Sequence, residues 1–143
     1  MKKTPIRIIM IDDNKIIRDL YKKQLENSQL FTVVADYEEG LTAINEVKKI
    51  NPDIILVDIN ISPVNGFYIT ENILKINPTF KIIALSVKNE SIYAKRMIEM
   101  GAKGYLTKTS TIEEVIEGIL EVYNGKNYIC REVRKKMNKE DKN

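Results

Sequence analysis

Short apolar runs alternate with longer amphipathic stretches along most of this chain. Runs rich in isoleucine and valine are typical of strands buried in a parallel sheet. The amphipathic stretches place apolar residues three or four positions apart, as expected for helices with one buried face. The pattern predicts strands at 6–11, 31–35, 53–57, 80–85 and 104–106, and helices at 14–26, 40–50, 66–76, 90–100 and from 111 to the Asn124-Gly125 turn.

Residues that start or stop helices support these boundaries. Pro52 ends the second helix before the third strand, and Gly101 is suited to close the fourth helix. The last helix begins at Thr111, where Thr111–Glu114 has the spacing of a capping box. Five strand–helix units in regular alternation predict an α/β fold, a doubly wound five-stranded parallel sheet flanked by five helices. In the first helix, the predicted buried face consists of Ile16, Ile17, Leu20, Tyr21 and Leu25.

The last 18 residues break the alternation and differ in charge. Residues 1–125 hold 16 Lys and Arg against 17 Asp and Glu, whereas residues 126–143 hold 7 against 3. We therefore expect one domain over 1–125 and a basic linker or tail over 126–143. The apolar residues between Tyr128 and Met137 predict a short helix in the tail, and the polar composition of 139–143 predicts disorder.

Composition excludes several classes of chemistry. The chain has no histidine, which rules out imidazole catalysis and histidine-ligated zinc, and its single cysteine, Cys130, cannot form an internal disulfide. No signal peptide is recognisable, and no apolar stretch approaches the roughly 20 residues that a membrane span needs. We expect a cytoplasmic protein without a membrane partner. The near-neutral main domain is not a basic nucleic-acid binder.

Polar residues follow four of the predicted strands at their carboxyl ends. Asp12-Asp13, Asp58, Ser86 and Lys108 occupy these positions. In an open α/β sheet the carboxyl ends of the strands line one crevice where ligands bind, so these side chains should converge. Three carboxylates in a small space need a compensating cation at neutral pH, and Lys108 alone is not enough. Oxygen ligands of this kind suit Mg²⁺.

Each of these residues also has a simpler interpretation. Asp12-Asp13 could cap the helix that begins near Asn14, and Ser86 or Lys108 taken singly carries little information. The conjunction indicates phosphoryl transfer: a carboxylate beside a metal can attack phosphorus, while an ammonium and a hydroxyl stabilise the transferred group. The six glycines form no phosphate-binding loop, so a bound nucleotide is not the expected donor.

The chain resembles the receiver domains of two-component response regulators over about residues 5–125. The resemblance rests on four segments: Ile9–Asp13, Ile54–Asn60, Ile83–Val87 and Gly101–Lys108. It implies a flavodoxin-like strand order 2-1-3-4-5 and phosphorylation of Asp58 by a sensor histidine kinase. It further implies that Asp12, Asp13, Asp58 and the carbonyl of Asn60 surround Mg²⁺. Ser86 and Lys108 would then contact the phosphoryl group, and Tyr105 would be the aromatic residue whose rotamer reports the switch.

Three positions depart from the usual family pattern. Ser62 stands where proline is common, with Pro63 next, and Val87 replaces a small residue. Thr109 replaces the proline that often follows the lysine, which leaves open whether the Lys108–Thr109 bond is cis. Val87 and the segment Tyr128–Val133 resemble the NarL/LuxR type of regulator. In regulators of that type, the segment that corresponds to Tyr128–Val133 leads to a helix-turn-helix output domain, which this chain is too short to include.

Several functions remain open at this point. The leading hypothesis is a phosphorylation switch that alters the surface near the fourth and fifth helices to control an output such as transcription, with DNA reached only through an output domain and a homodimer possible. The alternatives are a stand-alone regulator acting by protein contact, an adaptor that has lost phosphorylation, and DNA binding through the basic tail. A phosphohydrolase of haloacid-dehalogenase type would need an acid two residues after the nucleophile, where Asn60 stands. We expect no enzymatic activity beyond the protein's own phosphorylation and dephosphorylation.

Overall fold

A computed structural model describes residues 4–141 of the chain. Strands and helices alternate almost throughout, with one further strand and one further helix after the five predicted units. The strands are β1 (Ile6–Ile11), β2 (Phe31–Tyr37), β3 (Ile54–Val57), β4 (Ile82–Ser86), β5 (Gly104–Thr107) and β6 (Tyr128–Ile129). The helices are α1 (Lys15–Asn27), α2 (Gly40–Ile50), α3 (Gly66–Ile76), α4 (Ser91–Glu99), α5 (Ile112–Tyr123) and α6 (Arg131–Asp141).

All six strands pair in parallel in one sheet of order β2-β1-β3-β4-β5-β6. The predicted α/β class and the order 2-1-3-4-5 are confirmed, with β6 added at the edge beyond β5. The central strands are buried along their whole length, since every residue of β3 and β4 is inaccessible or nearly so. This accounts for their uninterrupted apolar sequence, which is typical of strands covered by helices on both faces.

Local sequence signals set the helix starts. Asn14 caps α1 by accepting the backbone N–H of Ile17 at 3.2 Å, and Thr111 caps α5 by accepting that of Glu114 at 3.1 Å. The Thr111 cap confirms half of the predicted capping box. The first helix is capped by Asn14, not by Asp12 or Asp13.

The predicted buried face of α1 is partly wrong. Ile16 and Leu20 are exposed, at 78% and 47%, while Arg18 is buried. The Arg18 guanidinium donates to Asp36 at 2.9 Å and to the carbonyl oxygen of Asp12. A long basic side chain can thus replace an apolar one on the inner face, because its charged end finds hydrogen-bond acceptors there.

The C-terminal segment also differs from the expected tail. Tyr128 and Ile129 form a strand, and α6 extends through Asp141, so the predicted short helix is longer and includes residues 139–141 that were expected to be disordered. Residues 142 and 143 of that prediction lie outside the described residues. Apolar contacts from Cys130 and Val133, both fully buried, hold the segment on the core. Within residues 4–141, no helix has the length and apolar character required to cross a lipid bilayer.

Candidate functional site at the carboxyl edge of the sheet

The strand order brings the predicted site residues to one edge of the sheet. Asp12-Asp13 follow β1 and Asp58 follows β3, the strand that pairs with β1. Ser86 ends β4, and Lys108 comes directly after β5. Because all these strands run in parallel, their carboxyl ends meet, as the sequence predicted.

Three carboxylates form an acidic cluster: Asp12, Asp13 and Asp58. One oxygen from each lies within 4.8 Å of the others. Asp12 and Asp58 are buried, at 4% and 6% exposure, whereas Asp13 faces solvent. The N–H of Asn14 donates to Asp12 at 2.8 Å, and the N–H of Asn60 donates to Asp58 at 3.1 Å. These backbone bonds orient the two buried carboxylates.

Lys108 lies against both buried carboxylates of the acidic cluster. Its ammonium nitrogen Nζ is 2.7 Å from Asp12 Oδ2 and 3.2 Å from Asp58 Oδ2. Burial by itself would lower the pKa of Lys108, but hydrogen bonds and charge from Asp12 and Asp58 outweigh it and raise the pKa. Lys108 therefore stays charged at neutral pH.

Contact with Lys108 is not enough to bring the pKa of Asp58 down to its ordinary value. Burial and the neighbouring Asp12 carboxylate raise the pKa of Asp58, although Lys108 and the Asn60 N–H act in the opposite direction. The charged form of Lys108 is favoured because its ammonium faces two carboxylates, whereas the buried Asp58 faces one ammonium and a second carboxylate. Three acids against one base leave excess negative charge. This hard-oxygen donor set fits a divalent cation such as Mg²⁺.

Ser86 and Tyr105 both contact the loop that follows β4. Ser86 is fully buried, and its hydroxyl accepts the N–H of Lys88 at 3.1 Å. Tyr105 points inward, is fully buried, and donates its hydroxyl to the carbonyl oxygen of Lys88 at 2.7 Å. Burial raises the pKa of the Tyr105 phenol well above its ordinary value, so it remains a donor. Ser86 and Tyr105, the two predicted switch residues, thus both form hydrogen bonds with the backbone of Lys88.

The remaining predicted positions lie in the loops around the acidic cluster. Asn60 is exposed, and its backbone N–H orients Asp58; coordination by its carbonyl stays a prediction. A Cβ added to Gly66 would lie 2.6 Å from the Asp58 carbonyl oxygen, so α3 starts against the backbone of the loop that begins at Asp58. Within residues 4–141 the one cis peptide is Ser62–Pro63, so the Lys108–Thr109 bond is trans.

Sequence reasoning missed two residues that support the site. Arg18 binds the Asp12 carbonyl oxygen and also the Asp36 carboxylate of β2. Tyr21 donates its hydroxyl to the carbonyl oxygen of Lys108 at 3.4 Å. The helical pattern placed Tyr21 correctly on the inner face of α1. Nothing in the sequence indicated that Arg18 and Asp36 would meet.

Comparison with known proteins identifies the family. The protein-family model for the response regulator receiver domain matches residues 8–120. The transcriptional regulatory protein DegU of Brevibacillus brevis is 37% identical over 135 residues, which cover 94% of this chain and 57% of DegU. Response regulator UvrY of Escherichia coli is 28% identical over 132 residues, covering 92% of this chain and 61% of UvrY. The chain thus spans about three fifths of these curated relatives.

Solved structures show the same fold. A LuxR-family two-component response regulator from Aurantimonas superposes with a TM-score of 0.94 at 24% identity, covering 98% of this chain and all of that one. The isolated receiver domain of RcsB from Salmonella enterica, solved with the phosphomimetic BeF3−, gives a TM-score of 0.83 at 19% identity over 92% of this chain and 98% of that one. Together with the family match over more than three quarters of its length, this shows that the chain belongs to the receiver-domain family of two-component response regulators.

Proposed function

We propose that this protein is a phosphorylation switch in which Asp58 accepts a phosphoryl group from a sensor histidine kinase. One observation carries the proposal: Asp58, Asp12, Asp13 and Lys108 converge at the carboxyl edge of the sheet with more negative charge than Lys108 offsets. Such an arrangement suits a site that binds a divalent cation and then a phosphoryl group.

The chain's own residues account for the chemistry of the transfer. A carboxylate oxygen of Asp58 forms the new bond to phosphorus while the bond from phosphorus to the kinase histidine breaks. Lys108, already 3.2 Å from Asp58, neutralises charge on the transferred group, and Ser86 donates a hydrogen bond to one of its oxygens. Asp12, Asp13, Asp58 and the Asn60 carbonyl would hold Mg²⁺, which supplies further charge neutralisation when bound.

The added group changes the loops that follow β4 and β5. A phosphoryl group brings about 1.5 to 2 negative charges, which attract Lys108 and draw in the Ser86 hydroxyl. Because Ser86 also binds the Lys88 N–H, its displacement alters the loop on which the Tyr105 hydroxyl rests. We propose that the resulting surface near α4 and α5 controls an output in a cytoplasmic setting. The proposed output is transcription, reached through an attached output domain and not through DNA contact by this domain itself.

Two of the curated relatives support a regulatory output through their names. DegU is named as a transcriptional regulatory protein and UvrY as a response regulator. RcsB has been solved as dimers bound to DNA, and a homodimer is accordingly a candidate assembly for this chain as well. A stand-alone regulator that acts by protein contact uses the same switch and differs only in its partner.

The proposal is tested by phosphorylation with acetyl phosphate and Mg²⁺, followed by intact mass spectrometry. We expect one phosphoryl adduct on the wild type, none on Asp58→Asn, and an undiminished adduct on Asp19→Asn, which removes an exposed carboxylate on α1. Wild-type protein that takes up no phosphoryl group, or Asp58→Asn protein modified at the wild-type rate, would contradict the proposal.

The same preparation separates the switch from an enzyme and from an adaptor. We propose that the protein turns over no other phosphate ester, because Asn60 cannot exchange a proton at neutral pH as a general acid would. Multiple turnover of a phosphate monoester would instead support a phosphohydrolase. A Mg²⁺ titration with no saturable binding would favour an adaptor that has lost the site.

A further inference from the structure

The C-terminal segment folds back onto the part of the domain that responds to phosphorylation. β6 pairs with β5, so that Tyr128 lies beside Gly104 and Ile129 beside Tyr105. From there α6 runs across to α4 and packs against it. The segment therefore lies beside the loop that follows Ser86 and the loop that contains Lys108.

The start of this segment is fixed to the core. The largely buried Glu114 carboxylate of α5 accepts the Tyr128 hydroxyl at 2.7 Å and the Arg131 backbone N–H at 2.9 Å. The backbone N–H of Cys130 donates to the Tyr105 carbonyl oxygen at 2.9 Å. These contacts hold β6 and the first turn of α6 without involving the loops after β4 and β5.

One carboxylate of α6, that of Glu132, joins those two loops. Its Oε2 accepts Asn89 Nδ2 at 2.9 Å, three residues after Ser86. Its Oε1 accepts the hydroxyls of Thr107 at 3.0 Å and Thr109 at 3.2 Å, the two residues that flank Lys108. These hydrogen bonds, led by the one from Asn89, lower the pKa of Glu132, so the carboxylate is charged at neutral pH.

We propose that Glu132 couples the phosphorylation state of Asp58 to the docking of α6, with the docked helix favoured in the unphosphorylated protein. The inference rests on the proposed phosphorylation of Asp58. A phosphoryl group that draws Ser86 and Lys108 inward moves the residues next to them, and Glu132 keeps its three partners only while both loops hold their present positions. Phosphorylation therefore weakens the contacts of Glu132 and releases α6.

Thermodynamic linkage makes the proposal measurable from either side. If phosphorylation weakens docking, then weakened docking must favour the phosphorylated state by the same factor. We therefore expect Glu132→Ala to bind BeF3−, in the presence of Mg²⁺, about fivefold more tightly than the wild type, which is the lower end of typical coupling between sites. The apparent dissociation constant can be measured by fluorine NMR.

A matched control is available on α5. Glu117 forms an exposed ion pair with Arg131 of α6, 2.7 Å between Oε1 and NH2. Within residues 4–141 it makes no hydrogen bond or ion pair with the loop after β4 or the loop after β5. Glu117→Ala should bind BeF3− as the wild type does. Hydrogen exchange gives the second readout: Mg²⁺ and BeF3− should speed exchange of the α6 amides in the wild type but leave Asp58→Asn unchanged.

The outcomes distinguish this inference from the proposed function. If the wild type binds BeF3− while α6 exchange stays constant or slows, or if Glu132→Ala and Glu117→Ala bind it equally, the coupling is refuted and the phosphoacceptor site is not. If the wild type binds no BeF3− and takes no phosphoryl group from acetyl phosphate, the proposed function fails and the coupling fails with it.

Discussion

Replacing Lys108 by methionine removes an ammonium from between two buried carboxylates while keeping most of the length of the side chain. The side chain of Lys108 is 13% exposed and the side chains of its partners Asp12 and Asp58 are each 6% exposed, with contacts of 2.7 and 3.2 Å. Removing one partner of a buried ion pair costs about 3–5 kcal/mol, because the remaining charge is left uncompensated. The pKa of Asp58 is already raised, so this carboxylate can take up a proton and limit the loss. We therefore expect the free energy of unfolding to fall by about 3 kcal/mol, the lower end of that range.

Thermal unfolding in EDTA at low salt is the suitable assay. For a chain of 143 residues, a loss of about 3 kcal/mol corresponds to a fall in Tm on the order of 10 °C. Lys15→Met is the matched control, because Lys15 also lies 2.7 Å from a carboxylate, that of Asp19, but is 76% exposed. An ion pair at the surface contributes little, so the control should change Tm by about one degree or less.

Mg²⁺ supplies a second arm of the same experiment. Without Lys108 the acidic cluster loses its internal cation, so an added divalent ion should raise Tm by more in Lys108→Met than in the wild type. Free Mg²⁺ at ten times its dissociation constant adds about 1.4 kcal/mol of stability. Equal destabilisation by the two lysine variants, or a Tm of Lys108→Met that is insensitive to Mg²⁺, would refute the electrostatic account of the site.

Three further predictions use the same preparations. Asp58→Asn should raise Tm at pH 7 without metal, because burial and Asp12 raise the pKa of Asp58 and its charged form therefore opposes folding. Melting curves should show the difference in Tm between variant and wild type shrinking as the pH falls toward 3.8, the ordinary pKa. There the carboxyl group is increasingly neutral in both the folded and the unfolded state. Gly66→Ala should cost about 1–3 kcal/mol in urea unfolding, because its Cβ would lie 2.6 Å from the Asp58 carbonyl oxygen, and an unchanged midpoint would show that α3 can move away freely. Cys130 is fully buried, so its thiol should react with a chromogenic disulfide reagent much more slowly in the native protein than in urea, and equal rates would contradict the packing of the C-terminal segment.

The sequence predicted the position of the acidic cluster because two simple regularities were sufficient. Buried parallel strands have continuous apolar runs, and their carboxyl ends lie at one edge, so Asp13, Asp58 and Lys108 had to come close once the strands were assigned. The resemblance to receiver domains then supplied the strand order, which the structure confirms. Helices α2 and α3 begin and end where the pattern placed them.

The parts that sequence reasoning missed depend on partners far away in the chain. Arg18 is buried because Asp36 of β2 and the Asp12 carbonyl oxygen satisfy it, which no helical periodicity can show. β6 has only two residues, too few to give a recognisable strand pattern, and forms because β5 offers an unpaired side. The helical extension to Asp141 likewise depends on α4, where Ser91 and Lys95 bind Glu140.

The two residues of β6 also bear on the behaviour of the protein when α6 is free. A strand at the border of a sheet exposes unpaired amide and carbonyl groups, which can recruit other chains into aggregates. Tyr128 and Ile129 shield the first half of β5 from such pairing, and the bond from Tyr128 to Glu114 keeps the shield in place independently of Glu132. Helix α6 can therefore detach from α4 while β6 remains paired with β5. Release of α6 therefore need not lower the solubility of the domain.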